Sequence, residues 1–280
     1  MPLFQASDGT SLFYVEWGDG QPILFLNSLG FVTRMWDYQF AALAPEGFRC
    51  ISFDRRGHGR SDQPAHGYDL DTLADDVATL IERSDLTDLT LVGHSMAGAE
   101  IVRYLTRHGA RRIARIILVA PTTPELLHSV DNPDGLPRAA FEATWGQWRR
   151  DYPKWVDDNV APFFIPETSR PMMQWGATLL QASIPVLLAC HRDPVDADLR
   201  AEMRRIEVPA LVIHGDRDRS APIELTGRPS AALLRNGRLI VYEGAPHGLM
   251  FTHMDRLHAD MLQFIRETQL AEMEIAPAAT

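Results

Sequence analysis

Leu89-Thr90-Leu91-Val92-Gly93-His94-Ser95-Met96-Ala97-Gly98 is the stretch on which the reading of this chain turns. Four residues suited to a buried strand run into a serine set among small residues, and from Ala97 the apolar positions repeat with helical spacing. Gly93, Ala97 and Gly98 suit a tight strand-to-helix turn in which larger neighbours would collide. Such a turn exposes the Ser95 hydroxyl at a helix N-terminus, where developing negative charge is favoured. An ordinary serine cap accounts for the serine but not for the small residues on both sides of it. The nucleophile-elbow pattern asks for glycine at position 97, where this chain has alanine.

Outward from this turn, the runs 23–26, 50–53, 89–92, 116–119 and 210–213 each read as a strand buried on both faces, and 238–242 supplies a sixth. Helical patterns over 72–83, 97–108 and 254–267 lie between and after them, the first capped by Asp71 or Thr72. Alternation of strand and helix predicts an α/β fold with a mostly parallel, doubly wound sheet. Residues 11–15 alternate and end at Gly18-Asp19-Gly20, which predicts an antiparallel hairpin at the N-terminal edge. The rhythm breaks over 122–207, a strandless stretch rich in tryptophan, phenylalanine and proline that reads as an inserted helical cap roofing a pocket. The expected organisation is a core of 1–121 and 208–270, a cap of 122–207 and a disordered tail of 271–280.

The 280 residues are 45% hydrophobic and 23% charged, which is ordinary for a globular chain large enough to fold without disulfide or metal. A net charge of −10 argues against nucleic acid as a partner. The densest basic stretch, 103–115, reads as a solvated edge. No window approaches the ~18 apolar residues of a membrane span. Met1-Pro2-Leu3-Phe4-Gln5 lacks the basic and apolar regions of a secretory signal. Cys50 and Cys190 have no metal-like spacing. A reduced, cytoplasmic chain without cofactor or metal is therefore expected, and its oligomeric state is left open.

A serine hydroxyl needs a base to become a nucleophile. Among ten histidines, His247 stands just past the sixth core strand, in a loop where sheets of this kind place ligand-handling groups. His94 reads as structural, and His58, His66, His108, His253 and His258 as turn or helix-face residues. The acid that orients the base is expected after strand 210–213, with Asp218 chosen and Asp216 as understudy bracing the turn. The order Ser95, Asp218, His247 matches that of the elbow-bearing hydrolases. The backbone amides of Leu29 and Met96 suit an oxyanion hole, with Asn27 either bracing the loop or simply a turn residue. Phe141, Trp145 and Trp175, with Asn27, are the expected pocket residues.

Residues 54–61 (from Asp54-Arg55-Arg56-Gly57-His58 to Ser61), the 93–98 elbow, 99–109, 132–137 and 222–228 together resemble the cofactor-free bacterial haloperoxidase (perhydrolase) and aryl esterase branch of the α/β-hydrolases. The resemblance runs from about residue 20 to 266. It implies the α/β-hydrolase fold, a triad of Ser95, Asp218 and His247, an oxyanion hole at Leu29 and Met96, and ester hydrolysis without metal or haem, with perhydrolysis as a side reaction. Two departures stand out. That branch usually carries His-Gly and an aromatic residue where this chain has Asn27-Ser28-Leu29, a segment that, with Met35-Trp36-Asp37, is instead similar to 3-oxoadipate enol-lactonases; Ala97 is the other departure.

The expected reaction is hydrolysis of a small or medium apolar ester or lactone through an acyl-enzyme. Its rivals are a carbon–carbon bond hydrolase of ring-cleavage products, which uses similar residues, and a non-catalytic small-molecule binder on the same scaffold. A haloalkane dehalogenase would need a carboxylate where Ser95 stands.

Overall fold

Strands whose successive residues are all apolar fold stably only if both faces of their sheet are covered. The computed structural model, which describes residues 2–275, meets that demand with two separate cores. Among the described residues eight strands form one sheet: β1 (Leu3–Gln5), β2 (Ser11–Trp17), β3 (Gln21–Leu26), β4 (Phe48–Phe53), β5 (Leu89–His94), β6 (Ile113–Val119), β7 (Ala210–Gly215) and β8 (Gly237–Tyr242). They lie in the order β1-β2-β4-β3-β5-β6-β7-β8. Only β1 and β2 run against their neighbours; from β4 to β8 every pairing is parallel.

Among the described residues ten α-helices accompany the strands: α1 (Asp37–Leu43), α2 (Leu70–Arg83), α3 (Ala97–His108), α4 (Arg138–Phe163), α5 (Arg170–Thr178), α6 (Ile184–Asp196), α7 (Arg200–Met203), α8 (Gly227–Leu233), α9 (Leu249–Thr252) and α10 (Met254–Ile275). The two-residue period of a strand divides the sheet between its faces. Leu24, Leu26, Leu91, Leu118 and Val212 pack with Val77, Ile81 and Ile101 of α2 and α3. Their neighbours in sequence, Ile23, Phe25, Val92, Ile117 and Ile213, pack with Trp36, Met261 and Phe264 on the other face. The doubly wound α/β reading therefore holds.

Several details differ from expectation. The edge hairpin exists, but β1 is the partner of β2, so Gly18-Asp19-Gly20 does not join paired strands; β3 lies beyond β4 instead. Helix α2 starts earlier, because the Asp69 side chain accepts from Thr72 N at 2.9 Å and caps it. Asp71 instead pairs with Arg103 at 2.5 Å. The basic stretch is solvated only in part: Arg103 and Arg107 meet acids of α2, but Arg115 is fully buried beside Thr90 of β5. Helix α10 continues to Ile275, where a disordered tail was expected to have begun; 276–280 lie outside the described residues. Among the described residues no helix is long and apolar enough to cross a membrane.

Between β6 and β7 the chain forms α4 to α7 and no named strand. α4 and α6 gather a further apolar cluster in which Phe141, Trp145, Trp148, Leu187 and Val195 meet Leu225 from beyond β7. α4 is interrupted at Asp151, whose backbone leaves the helical region two residues before Pro153.

Burial grades the strands. Leu91, in the middle of the sheet, is fully buried, whereas β8 is an edge strand with Leu239 only partly covered. Leu91→Ala should cost about 2–5 kcal/mol in urea unfolding, and Leu239→Ala clearly less. Equal losses would contradict this layering.

Candidate active site

In a parallel sheet the carboxyl ends of all strands share one edge, and the loops leaving that edge meet. Here β3 delivers Asn27 to Gly30, β5 delivers Ser95, the loop after β7 carries Asp218, and the loop after β8 carries His247.

Ser95 sits in the left-handed region at φ 58°, which a side-chain-bearing residue adopts only when its surroundings force it. Its N–H donates to Val119 O at 3.0 Å, and its carbonyl accepts from Gly98 N at 3.0 Å, so β6 and the start of α3 hold it from both sides. Gly93 makes the turn tight. A Cβ there would lie 2.7 Å from Ile101 Cδ1 and 3.1 Å from backbone atoms of Ala97. The alanine at 97 is fully buried and is accommodated.

His247 Nδ1 and Asp218 Oδ2 are 2.6 Å apart, both residues being buried. Asp218 Oδ1 accepts from Ser220 N at 2.9 Å and Ala221 N at 2.8 Å. His214 adds a contact that the sequence reading did not assign: its Nε2 lies 2.8 Å from Ala221 O and 3.2 Å from Asp218 Oδ2. Burial opposes ionisation of Asp218, but His247, His214 and the hydrogen bonds outweigh it and hold the carboxyl well below the usual range. A carboxylate accepting at Nδ1 leaves the lone pair of the neutral imidazole on Nε2. His94 donates from Nε2 to His247 O at 3.0 Å and so ties the His247 backbone to the elbow. Burial, reinforced by the neighbouring His247, keeps His94 uncharged. Asp216 braces the turn, accepting from Gly244 N at 2.7 Å.

The loop after β3 is clamped from beneath. Asn27 donates to Phe53 O at 2.8 Å and accepts from Ser52 Oγ at 3.0 Å. Arg55 donates to Asn27 O at 2.7 Å and to Ser28 O at 3.4 Å, and pairs with Glu100 of α3 at 2.5 Å. Carbonyl and N–H of one trans peptide point in opposite directions, so turning Ser28 O toward Arg55 turns Leu29 N–H away from it. Among the described residues neither the Leu29 nor the Met96 amide donates a hydrogen bond.

Ser95, Met96, Ser28, Leu29 and His247 line one cavity of about 720 Å³, within the size range of small-molecule sites. Of the expected pocket residues, Phe141 lines it. The other three do not. Asn27 is turned into the protein by its hydrogen bonds to β4. Trp145 lies on the next stripe of α4, its Nε1 donating to His191 Nδ1 at 3.0 Å. Trp175 packs edge-on against Tyr38 and Phe251, both at 5.7 Å, while its neighbours Gly176 and Ala177 face the cavity. In their place stand Trp148, Tyr152, Trp155 and Phe163. The first three recur at helical spacing, a signal present in the sequence. Phe163 also accepts from Gly248 N at 3.0 Å, tying the insertion to the His247 loop.

Residues 21–172 match the family model described as alpha/beta hydrolase fold. The chain is 36% identical to a non-heme haloperoxidase of Rhodococcus erythropolis, over 95% of this chain and 99% of that one. It is 30% identical to a 3-oxoadipate enol-lactonase of Acinetobacter baylyi, over 78% and 82% of the two chains. Among solved structures, an esterase from Exiguobacterium antarcticum superposes with a TM-score of 0.90 at 30% identity, over 94% of this chain and 98% of that one.

The packing around Gly93 gives one prediction. Gly93→Ala should cost about 1–3 kcal/mol and displace Ser95, since Ala97 backbone cannot yield as a side chain would; an unchanged urea midpoint would contradict it. A second concerns pH. Burial, with the nearby Arg55 charge, pushes His58 down to about 3, and burial pushes His191 down to about 4, from an ordinary 6.5. Below pH 6.5 the unfolded chain thus binds protons that the folded chain refuses. The stability these neutral rings contribute is complete above pH 6.5 and is lost as pH falls toward their folded values. Unfolding midpoints should therefore drop between pH 6 and 4, and His58→Asn should flatten the dependence by up to about 1.4 kcal/mol per pH unit. A slope unaffected by the substitution would contradict it.

Proposed function

We propose that this chain, which belongs to the alpha/beta hydrolase fold family, cleaves a carboxylic ester or lactone through an acyl-enzyme on Ser95. The observation that carries the reading is the 2.6 Å His247–Asp218 hydrogen bond beside a cavity that His247 and the left-handed Ser95 both line.

In this mechanism His247 Nε2 accepts the Ser95 proton as Oγ attacks the substrate carbonyl. Asp218 holds the ring in the required tautomer and stabilises the imidazolium that forms. The free amides of Leu29 and Met96 receive the oxyanion, a contribution worth on the order of a hundredfold in rate per donor. His247 then returns the proton to the leaving alcohol, or to the ring-opened hydroxyl of a lactone. Water, deprotonated by the same imidazole, attacks the acyl carbonyl and releases Ser95. Hydrogen peroxide in place of that water would give a peracid, the perhydrolase side reaction.

Residues 122–207 serve as the cap over a core of 1–121 and 208–270, the aromatic stripe of α4 forming the roof. The apolar lining, with Phe141, Trp148, Trp155 and Leu187, suits a small or medium apolar substrate. Two buried free thiols, Cys50 and Cys190, accord with a reducing, cytoplasmic setting. No bound metal or cofactor takes part in these steps.

Hydrolysis of p-nitrophenyl butyrate and of a panel of lactones tests the reading. Ser95→Ala should lower kcat by roughly ten-thousandfold or more, and Asp218→Asn by a comparable factor with little change in KM. Undiminished turnover by Ser95→Ala would refute it.

A further inference from the structure

α6 lines the cavity with Leu187, Pro194 and a single polar ring, His191, opposite a stretch of α4 that brings aromatic side chains together with polar ones such as Thr144 and Gln147. His191 lines the cavity between Phe141 and Trp148, whose ring centroids lie 6.2 and 5.2 Å away. Trp145 Nε1–H donates to His191 Nδ1 at 3.0 Å from behind that wall. An indole nitrogen only donates, so Nδ1 must hold a lone pair and the ring hydrogen must sit on Nε2. Among the described residues Nε2 makes no hydrogen bond, yet it is not sealed off from the cavity. Beside it Trp148 Nε1–H is also without an acceptor. Trp148 Nε1–H is sealed in the wall, so His191 Nε2–H is the donor of the two that a ligand's acceptor can reach.

The distance from the reacting centre follows from α6. Leu187 Cδ2 lies 3.2 Å from where a Cβ on Gly30 would stand, beside the proposed oxyanion loop. His191 is four residues, about 6 Å, further along the same helix face. A substrate with its scissile carbonyl at Ser95 and Leu29 therefore meets His191 several atoms away from that carbonyl.

We infer that His191 Nε2–H is a specificity-determining donor, and that the preferred substrates are esters or lactones carrying a second oxygen acceptor, a ketone or ether, several atoms from the scissile carbonyl on an otherwise apolar body. This rests on the hydrolase reading for the word ester, but not for the donor. Burial, which holds His191 down to about 4, keeps the ring a neutral donor throughout the range in which such enzymes are assayed.

Binding to intact substrate separates the two claims. In a Ser95→Ala background, quenching of cavity tryptophans is followed for two matched pairs: ethyl 5-oxohexanoate against ethyl hexanoate, and 4-oxopentyl acetate against pentyl acetate. The keto member of at least one pair should bind roughly three- to tenfold more tightly. His191→Phe should abolish that preference. His191→Gln should keep most of it, since its amide can accept from Trp145 and donate to the cavity. His191→Leu replaces the phenylalanine variant if that chain does not fold. No keto preference in either pair, a preference that survives His191→Phe, or equal loss in both the Phe and Gln variants would overturn the inference. Turnover of ethyl hexanoate with Ser95 present tests the hydrolase reading by itself: a His191-dependent preference without turnover upholds the donor and rejects the hydrolase.

Discussion

A serine forced to φ 58° at the end of a fully buried strand is the constraint from which the rest of this molecule follows. The angle survives because β6 accepts its N–H, α3 begins at once, and Gly93 leaves no side chain in the crossing. Each of these conditions depends on the parallel sheet, which sets β5 between β3 and β6. The sheet in turn requires two apolar faces, one covered by α2 and α3 and the other by α1 and α10. Local strain at one residue is thus supported by the packing of the whole core.

A second device links the two loops whose amides are proposed to receive the oxyanion. The Arg55–Glu100 pair is buried, and burial raises the Glu100 carboxyl against the opposing pull of Arg55. Buried ion pairs add little to stability once desolvation is counted, and their value lies in geometry. Here the guanidinium grips Asn27 and Ser28 carbonyls while its partner stands in the first turn after Met96. Loop and helix cannot move apart without stranding a charge. His94 does the same for the other side, joining the elbow to the His247 loop by a neutral hydrogen bond.

Much of this was legible in the sequence, for identifiable reasons. Strands buried on both faces leave unbroken apolar runs, and a turn that admits only small residues leaves Gly93, Ala97 and Gly98. Loops at strand ends could be ranked by position, which singled out His247 and Asp218, and the structure joins those two by a hydrogen bond. Side-chain direction was not legible. Trp145 and Trp148 are equally aromatic, but three residues on a helix separate a ring that braces His191 from one that faces the cavity. Trp175 likewise looked like pocket lining, and a neighbouring Phe251 and Tyr38 drew it outward. His191 and His214 carried no local signal, since what defines them is a partner distant in sequence or a proton position. Gly18-Asp19-Gly20 has the composition of a hairpin turn, and only the competition between β1 and β3 for β2 decided its partner.

The central claim is that His247 makes Ser95 nucleophilic, and covalent labelling reads this most directly. The chain is treated with a fluorophosphonate at neutral pH and digested, and the modified peptide is identified by mass spectrometry, in parallel with His247→Ala. The account predicts one adduct per chain, on the peptide holding Ser95, formed at least a hundredfold more slowly once the imidazole is gone. No adduct on Ser95, or labelling at the same rate without His247, would contradict it.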